Sequence, residues 1–257
     1  MGLPRILYSD LSRYGLNASA ESVDHPLQNL RTYDPADYWS SGSTSNPQFL
    51  SIDFGATGVR GRDFVLIDGH NFGTLQVTAS IYLEASSDPS FVSGSVIVPS
   101  LAFPNDERLY IEFPSVVTQR FWRIVVSGSI LEPPRIGQVF IDSRLEFTTP
   151  YDFGYVGDDP EFQTYETTTL SGRIRSSQVW GERQSYDLSF KLLNDDIRTK
   201  YLDFQQTVRG RLRPWYFVDT DDSLHFVHTE RDWTPVVGFR PGRSSVQRLV
   251  FKSKDVE

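Results

Sequence analysis

The stretch from Asn46 to Phe72, NPQFLSIDFGATGVRGRDFVLIDGHNF, does most to constrain the fold. Two short runs within it, Phe49 to Phe54 and Phe64 to Asp68, are rich in Phe, Ile, Val and Leu. Gly55, Gly58 and Gly61 lie between them, and Gly69, His70 and Asn71 follow. Beta-branched and aromatic side chains suit a pleated, half-buried surface, and glycine suits the turns that bound one. On the two-residue period of a strand, Phe64, Leu66 and Asp68 share one face while Val65 and Ile67 share the other. The stretch therefore predicts a pair of central strands in an all-β domain.

The rest of the first half repeats that texture. Residues 1–45 carry Ser, Asn, Asp and Tyr without sustained periodicity, apart from an expected opening strand at Arg5 to Tyr8 and a helical turn at Pro26 to Leu30. Val77 to Leu83 alternates apolar and polar residues, and Ser95 to Val98, Leu109 to Phe113, Arg120 to Val126 and Ile136 to Ile141 read similarly. Gly and Pro clusters separate them. Seven or more short strands with almost no helical signal predict a β-sandwich over residues 1–147.

Residues 148–164, polar and aromatic, read as a linker or extended arm, its character continuing to Thr169. The period changes beyond it. Tyr186, Leu188, Phe190 and Leu192 alternate on one strand face. Asn194 or Asp195 can cap a helix over 195–209, with Ile197, Tyr201, Phe204 and Val208 at helical spacing and Gly210 to stop it. Strands return at Arg213 to Val218, Leu224 to Val227 and Val246 to Phe251. Residues 165–257 are thus expected to form a second, β-barrel-like domain with one α-helix.

Composition excludes several functions. There is no Cys, so no disulfide scaffold, thiol nucleophile or cysteine zinc site is possible. A net charge of −8 argues against general nucleic-acid binding, which needs Lys and Arg to neutralise phosphates. No apolar run approaches the roughly 18 residues of a membrane span, and the N-terminus lacks the apolar centre of a secretory signal, so membrane insertion and classical secretion are not expected. The only lysines are residues 191, 200, 252 and 254, which leaves arginine as the sole fixed cation before them.

Chemistry is sparse. His225 and His228 invite a metal reading, but residues three apart on a strand face opposite sides. No nucleophile elbow, HExxH helix, phosphate loop or dinucleotide fingerprint occurs. Asp158-Asp159, Asp195-Asp196 and Asp221-Asp222 sit in turn and cap settings. Neither a catalytic group, a cofactor nor a metal is expected. The candidate ligand residues are Asp37, Tyr38, Trp39, His70 and Asn71. Trp39, in a Ser/Gly-rich loop, either stacks on a sugar ring or plugs the end of the core, and Asp37 and Tyr38 can bond hydroxyl groups. His70 and Asn71 either face a ligand or terminate a strand, with the Asn71 side chain closing the turn.

At this point the segments HPLQNL at 25–30, YWSSG at 38–42, FLSIDFG at 49–55, FVLIDGHN at 64–71 and FWRIVVSG at 121–128 can be taken together. In that order they resemble the galactose-binding-like, or discoidin-type, jelly roll. PPRIGQVFID resembles the close of such domains in tail proteins of bacteriophages and prophages. The second domain's strand, helix, RGRLRPWYF strand and VQRLVF strand resemble the ring-forming barrels of distal tail and hub proteins. The resemblance implies a structural virion protein at or near the tail tip, made in the host cytoplasm. It implies ring assembly with copies of itself and other tail proteins, with a jelly roll that either contacts host-surface saccharide or is structural decoration. A free-standing carbohydrate-binding module or adhesin is the alternative.

Overall fold

The computed structural model describes residues 2–92, 95–98, 101–103, 105–147, 160–161, 164–168, 174–178, 183–192, 195–209, 212–229 and 245–253. The elements through the first half are β1 (Arg5–Leu7), β2 (Gly15–Ala18), β3 (Trp39–Ser40), β4 (Gln48–Asp53), β5 (Arg62–Asp68), α1 (Phe72–Leu75), β6 (Ala79–Ser86), β7 (Ser95–Val98), β8 (Arg108–Val117), β9 (Phe121–Gly128), β10 (Arg135–Ile136), β11 (Gln138–Asp142) and β12 (Leu145–Glu146). Those that follow are β13 (Pro160–Glu161), β14 (Thr164–Thr168), β15 (Ile174–Gln178), β16 (Arg183–Leu192), α2 (Asp195–Val208), β17 (Trp215–Val218), β18 (Leu224–Thr229) and β19 (Ser245–Ser253). The protein is all-β with two α-helices among the described residues, and the substantial one lies where its periodicity predicts.

The chain forms two units, Ser9–Arg144 and a second made of Met1–Tyr8 with Leu145–Glu257. In the first, a five-stranded sheet of order β2-β4-β9-β6-β7 stacks on a three-stranded sheet of order β11-β5-β8, all pairs antiparallel. From β4 to β9 the chain switches sheets at most steps, which is jelly-roll connectivity. Val65, Ile67, Val139 and Ile141 of the smaller sheet share one core with Leu50, Ile52, Ile81, Leu83, Trp122 and Ile124 of the larger.

The two runs of Asn46 to Phe72 are strands, but they do not pair with each other. β4 lies in the larger sheet and β5 in the smaller, so the glycine-rich residues between them carry the chain across the sandwich, through a 3-10 turn at Ala56–Gly58. The physical reason is that β5 is apolar on both faces. Val65 and Ile67 enter the core, while Phe64 and Leu66 on the opposite face are equally buried. The edge strand β2 has no counterpart in the expected series, because its residues GLNA alternate too weakly to read as a strand.

The expected boundary at residue 147 needs correction. β1 pairs with β12 and with β17, so the opening strand belongs to the second unit. The sandwich is an insertion between two strands of another sheet. That sheet has seven strands in the order β12-β1-β17-β18-β19-β16-β13. The order has two ends, and no pairing among the described residues joins them into a barrel. α2 supplies Ile197, Tyr201, Phe204 and Val208 to a core with Ile6, Trp215, Phe217 and Val227. Tyr8 stands on Phe204 (5.2 Å) and donates its hydroxyl to Asp203 Oδ2 at 2.9 Å. Within the expected arm of 148–164, Pro160 and Glu161 pair with β16 and Thr164 opens β14, so these residues are sheet rather than linker. Residues 148–159 and 162–163 of the arm, the cap at Asn194 and the stop at Gly210 lie outside the described residues.

Candidate functional site

The five candidate residues converge on one end of the sandwich, and glycine explains how they reach it. Gly69 follows β5 at φ +65°, and a Cβ there would stand 2.6 Å from the Pro35 carbonyl oxygen. A Cβ on Gly137, at the join of β10 and β11, would collide with the same carbonyl. With no side chain at either position, residues 34–38 lie directly against the ends of β5 and β11. The chain then enters β3, which pairs with β10 in the register Trp39↔Ile136 and Ser40↔Arg135.

Strand alternation decides the fate of Trp39 and Tyr38. Trp39 is 1% exposed and packs in the core with Leu50, Phe72, Ile124 and Ile136. Its ring offers no face to a sugar, so the stacking role is corrected and the core-plug reading holds. Tyr38 stays half-buried. The His25 imidazole stacks on its ring at 4.0 Å and 20°, and the Arg135 guanidinium lies over the ring at 5.6 Å. Asp37 is exposed beside it.

Backbone contacts hold this stack in place. His25 O accepts from Ser40 N (3.1 Å), and Asn29 Nδ2 donates to Tyr38 O (3.0 Å). Arg135 N donates to Asn71 Oδ1 at 3.0 Å, while Asn71 Nδ2 donates to Glu132 Oε1 at 2.9 Å and Pro133 O at 3.0 Å. Asn71 is therefore a buried bridge between the end of β5 and the loop before β10. It neither meets a ligand nor closes its own turn. That turn is closed by His70, whose Nδ1 accepts from Phe72 N at 3.2 Å.

His70 is buried too, at 1% exposure, between Phe72 (5.2 Å, stacked) and Phe103 (4.9 Å, edge-on). Burial lowers its pKa from 6.5 to about 4, against the opposing pull of Asp106 and Asp68. Accepting at Nδ1 places the proton of this neutral ring on Nε2. It does not face a ligand. The exposed edge is thus Asp37 and Tyr38 of the expected set, joined by His25 and Arg135. Sequence marks His25 only as part of HPLQNL and Arg135 only as part of a closing strand; nothing local signals that the fold stacks them.

A second polar cluster occupies the opposite end. Arg62 is fully buried at the start of β5, over the Phe54 ring at 3.4 Å. It donates to Gly58 O (2.9 Å), Arg60 O (3.1 Å) and Gln119 O (3.4 Å). Arg60 Nη2 meets Asp142 Oδ2 at 2.5 Å. Burial lowers the Arg62 pKa to about 10 and raises that of Asp142, which Arg60 and Arg62 pull back down. Arg62 and Asp142 are buried while the Arg60 side chain keeps partial exposure, and together they fasten β5, β11 and the connection before them. In the second unit, His225 bonds Ser223 (2.9 Å), and no cluster of three or more metal-type side chains occurs among the described residues.

No protein-family model matches the chain, and no curated protein matches it. Among solved structures it is similar to the family 32 carbohydrate-binding module of NanJ from C. perfringens in complex with galactose. There the identity is 14% and the TM-score 0.42, over 54% of this chain and 98% of that one. Chitosan-binding module 1 of a chitosanase/glucanase from Paenibacillus sp. IK-5 is similar at 12% identity and TM-score 0.41, over 52% and 98%. The family 32 module of AlyQ in complex with 4,5-unsaturated mannuronic acid is similar at 19% and 0.40, over 49% and 92%. Each likeness spans about half of this chain and concerns strand arrangement alone.

Proposed function

We propose that the protein is a non-enzymatic structural protein of a tailed bacteriophage or prophage virion, at or near the tail tip. In this reading the seven-stranded unit is the assembly body, forming a ring with copies of itself and with other tail proteins. The inserted sandwich is a carried head that contacts host-surface saccharide through its His25, Tyr38 and Arg135 edge. The observation that carries it is the insertion. A module that works alone is bounded by exposed linkers that few contacts cross. Here residues 9–144 are flanked by β1 and β12, hydrogen-bonded neighbours in the sheet of the other unit. Such threading suits a body that presents a head better than a module that acts by itself.

Particle mass in solution tests this directly. A complex of several copies with a ring outline in electron micrographs is the expected result. A monomer at high concentration would count heavily against assembly.

The second reading, a carbohydrate-binding protein or adhesin outside any virion, is favoured by a different observation. An exposed stack of imidazole, phenol and guanidinium is more than a purely structural head needs. Monomeric protein whose glycan-array signal disappears with Tyr38→Ala would favour it.

A further inference from the structure

Nine arginines and no lysine lie within residues 9–144, against fifteen carboxylates. In a unit so acidic an arginine is expected to find a partner, and eight of the nine do. Arg13 pairs with Asp10, Arg60 with Asp142, Arg108 with Asp68, Arg120 with Asp53, Arg123 with Glu84 and Arg144 with Glu112. Arg62 is held by three carbonyl groups, and Arg31 donates to Tyr14 O and Gln28 Oε1. Arg135 alone has a guanidinium with no acceptor among the described residues. It is also exposed, and it lies over the ring that His25 covers.

We infer that Arg135 makes this edge selective for a saccharide that bears a carboxylate on its ring. The inference rests on the saccharide-contact part of the proposed function and goes beyond it by naming the ligand class. The cation itself has no acceptor among the described residues. A guanidinium presents a planar fork of donors that matches a carboxylate, and charge-assisted bonds of that kind are the strong ones.

The geometry of the stack points the same way. The His25 imidazole, 4.0 Å from the Tyr38 ring, occupies a ring face on which a sugar would otherwise stack, and the guanidinium lies 5.6 Å from the same ring. What the edge offers is polar: the Tyr38 hydroxyl, the His25 ring nitrogens and the Arg135 N–H groups. Those groups read an anion flanked by hydroxyls better than the apolar face of a neutral pyranose. Asp24 and Asp37, next in sequence to His25 and Tyr38, are exposed, whereas three other nearby carboxylates have partners of their own. Glu132 accepts from Asn71 at 2.9 Å, Asp34 from Ala36 N at 3.1 Å and Glu21 from Leu27 N at 3.0 Å.

The test uses the full chain and four probes: trigalacturonate, its methyl ester, 3′-sialyllactose and lactose. Binding is followed by calorimetry at low and at moderate salt. The expected result is that an acidic member binds and its neutral counterpart does not, with affinity falling as salt screens the contact. Arg135→Gln removes the charge and keeps the backbone N–H that Asn71 holds, so the fold is retained; it should weaken acidic binding by about tenfold or more. Arg13→Gln is the control and should change nothing. Comparison of trigalacturonate with sialyllactose tells a uronate from a sialate source. If neutral and acidic probes bind alike, or Arg135→Gln leaves binding intact, carboxylate selection is overturned while saccharide contact stands. If none of the four binds, both fall.

Discussion

The two ends of the sandwich each carry an arginine over an aromatic ring, and they put it to opposite uses. Arg62 is sealed over Phe54 with three carbonyl acceptors, and Arg135 is exposed over Tyr38 with no acceptor among the described residues. The difference lies in position along the strands. Arg62 opens β5, where the crossing connection and the turn before β9 close over it. Arg135 opens β10, a two-residue strand at an edge. A buried cation must have its donors satisfied by its own protein, so it is part of the fold. An exposed one can leave them for a ligand. If this contrast is right, disturbing the first end should cost stability and leave ligand contact alone, and disturbing the second should do the reverse.

The largest effect is expected at Arg62. Arg62→Met keeps the bulk but strands three carbonyl oxygens and leaves Asp142 with Arg60 alone. Removing one member of such a buried set typically costs about 3–5 kcal/mol, to be read as a fall in the urea midpoint. Arg62→Lys keeps the charge but cannot reach three acceptors in a fork, and should cost about 1–3 kcal/mol. A loss of only about 0.5 kcal/mol or less, the level of ordinary exposed substitutions, would break the contrast.

Next comes His70, buried behind the Tyr38 and Arg135 edge. Its folded pKa of about 4 lies below the ordinary 6.5. Between those values the unfolded chain binds a proton that the folded chain does not. Stability from this residue is therefore complete above 6.5 and is lost as the pH falls toward 4, by about 3 kcal/mol in all. Asp142, whose folded pKa burial raises, works with the opposite sign, since its stabilisation is lost as the pH rises through that pKa. Asp53 and Asp106, lowered from 3.8, act below the His70 window. The comparison of wild type with His70→Gln isolates the histidine. The variant should lose most of the acid-side slope, and two parallel pH profiles would refute the assignment.

Much of this architecture is legible in the residues, and the parts that are not share a cause. The helical spacing of Ile197, Tyr201, Phe204 and Val208 is a local signal, and all four residues enter the second core. The alternation of Phe64 to Asp68 correctly sorts Val65 and Ile67 to the sandwich core. Pairing is not local. Two apolar runs with glycines between them look like a hairpin, yet sheet membership depends on what covers each face, and β5 is buried on both. The same limit hid the insertion, because Arg5–Leu7 reads as a strand without saying that Leu145–Glu146 and Trp215–Val218 flank it. At the site, the residues with the most suggestive chemistry, Trp39 and His70, are the ones the fold buries. Arg135 stands out only when every other arginine has been given its partner.

The glycine pair links fold to site at an intermediate cost. Gly137→Ala drives a methyl group into the Pro35 carbonyl, so residues 34–38 must move away from β5 and β11. Overpacking of this kind costs about 1–3 kcal/mol. Because Tyr38 ends that loop, the same variant should also weaken any ligand held by the His25, Tyr38 and Arg135 stack. Gly61→Ala, where the added Cβ meets the Val116 side chain at 2.5 Å, is the matched control at the other end. It should lose stability without losing ligand. Equal effects of the two on binding would show that the ends are coupled and that their division of labour is wrong.

The smallest expected effect gives the sharpest view of the exposed end. Asp37 is exposed and adjacent to Tyr38, on the edge where Arg135 is free, and its charge opposes that of an acidic ligand. Exposed charges interact weakly, so Asp37→Asn should tighten acidic saccharide by only about two- to fivefold, with stability unchanged. The sign carries the information. A gain that shrinks as salt is added means that charge at this edge governs recognition, as a free Arg135 requires. A loss instead would mean that Asp37 bonds the ligand's hydroxyls. Recognition would then rest on hydroxyl geometry rather than on the cation, and the exposed arginine would be no more a binding group than the buried one.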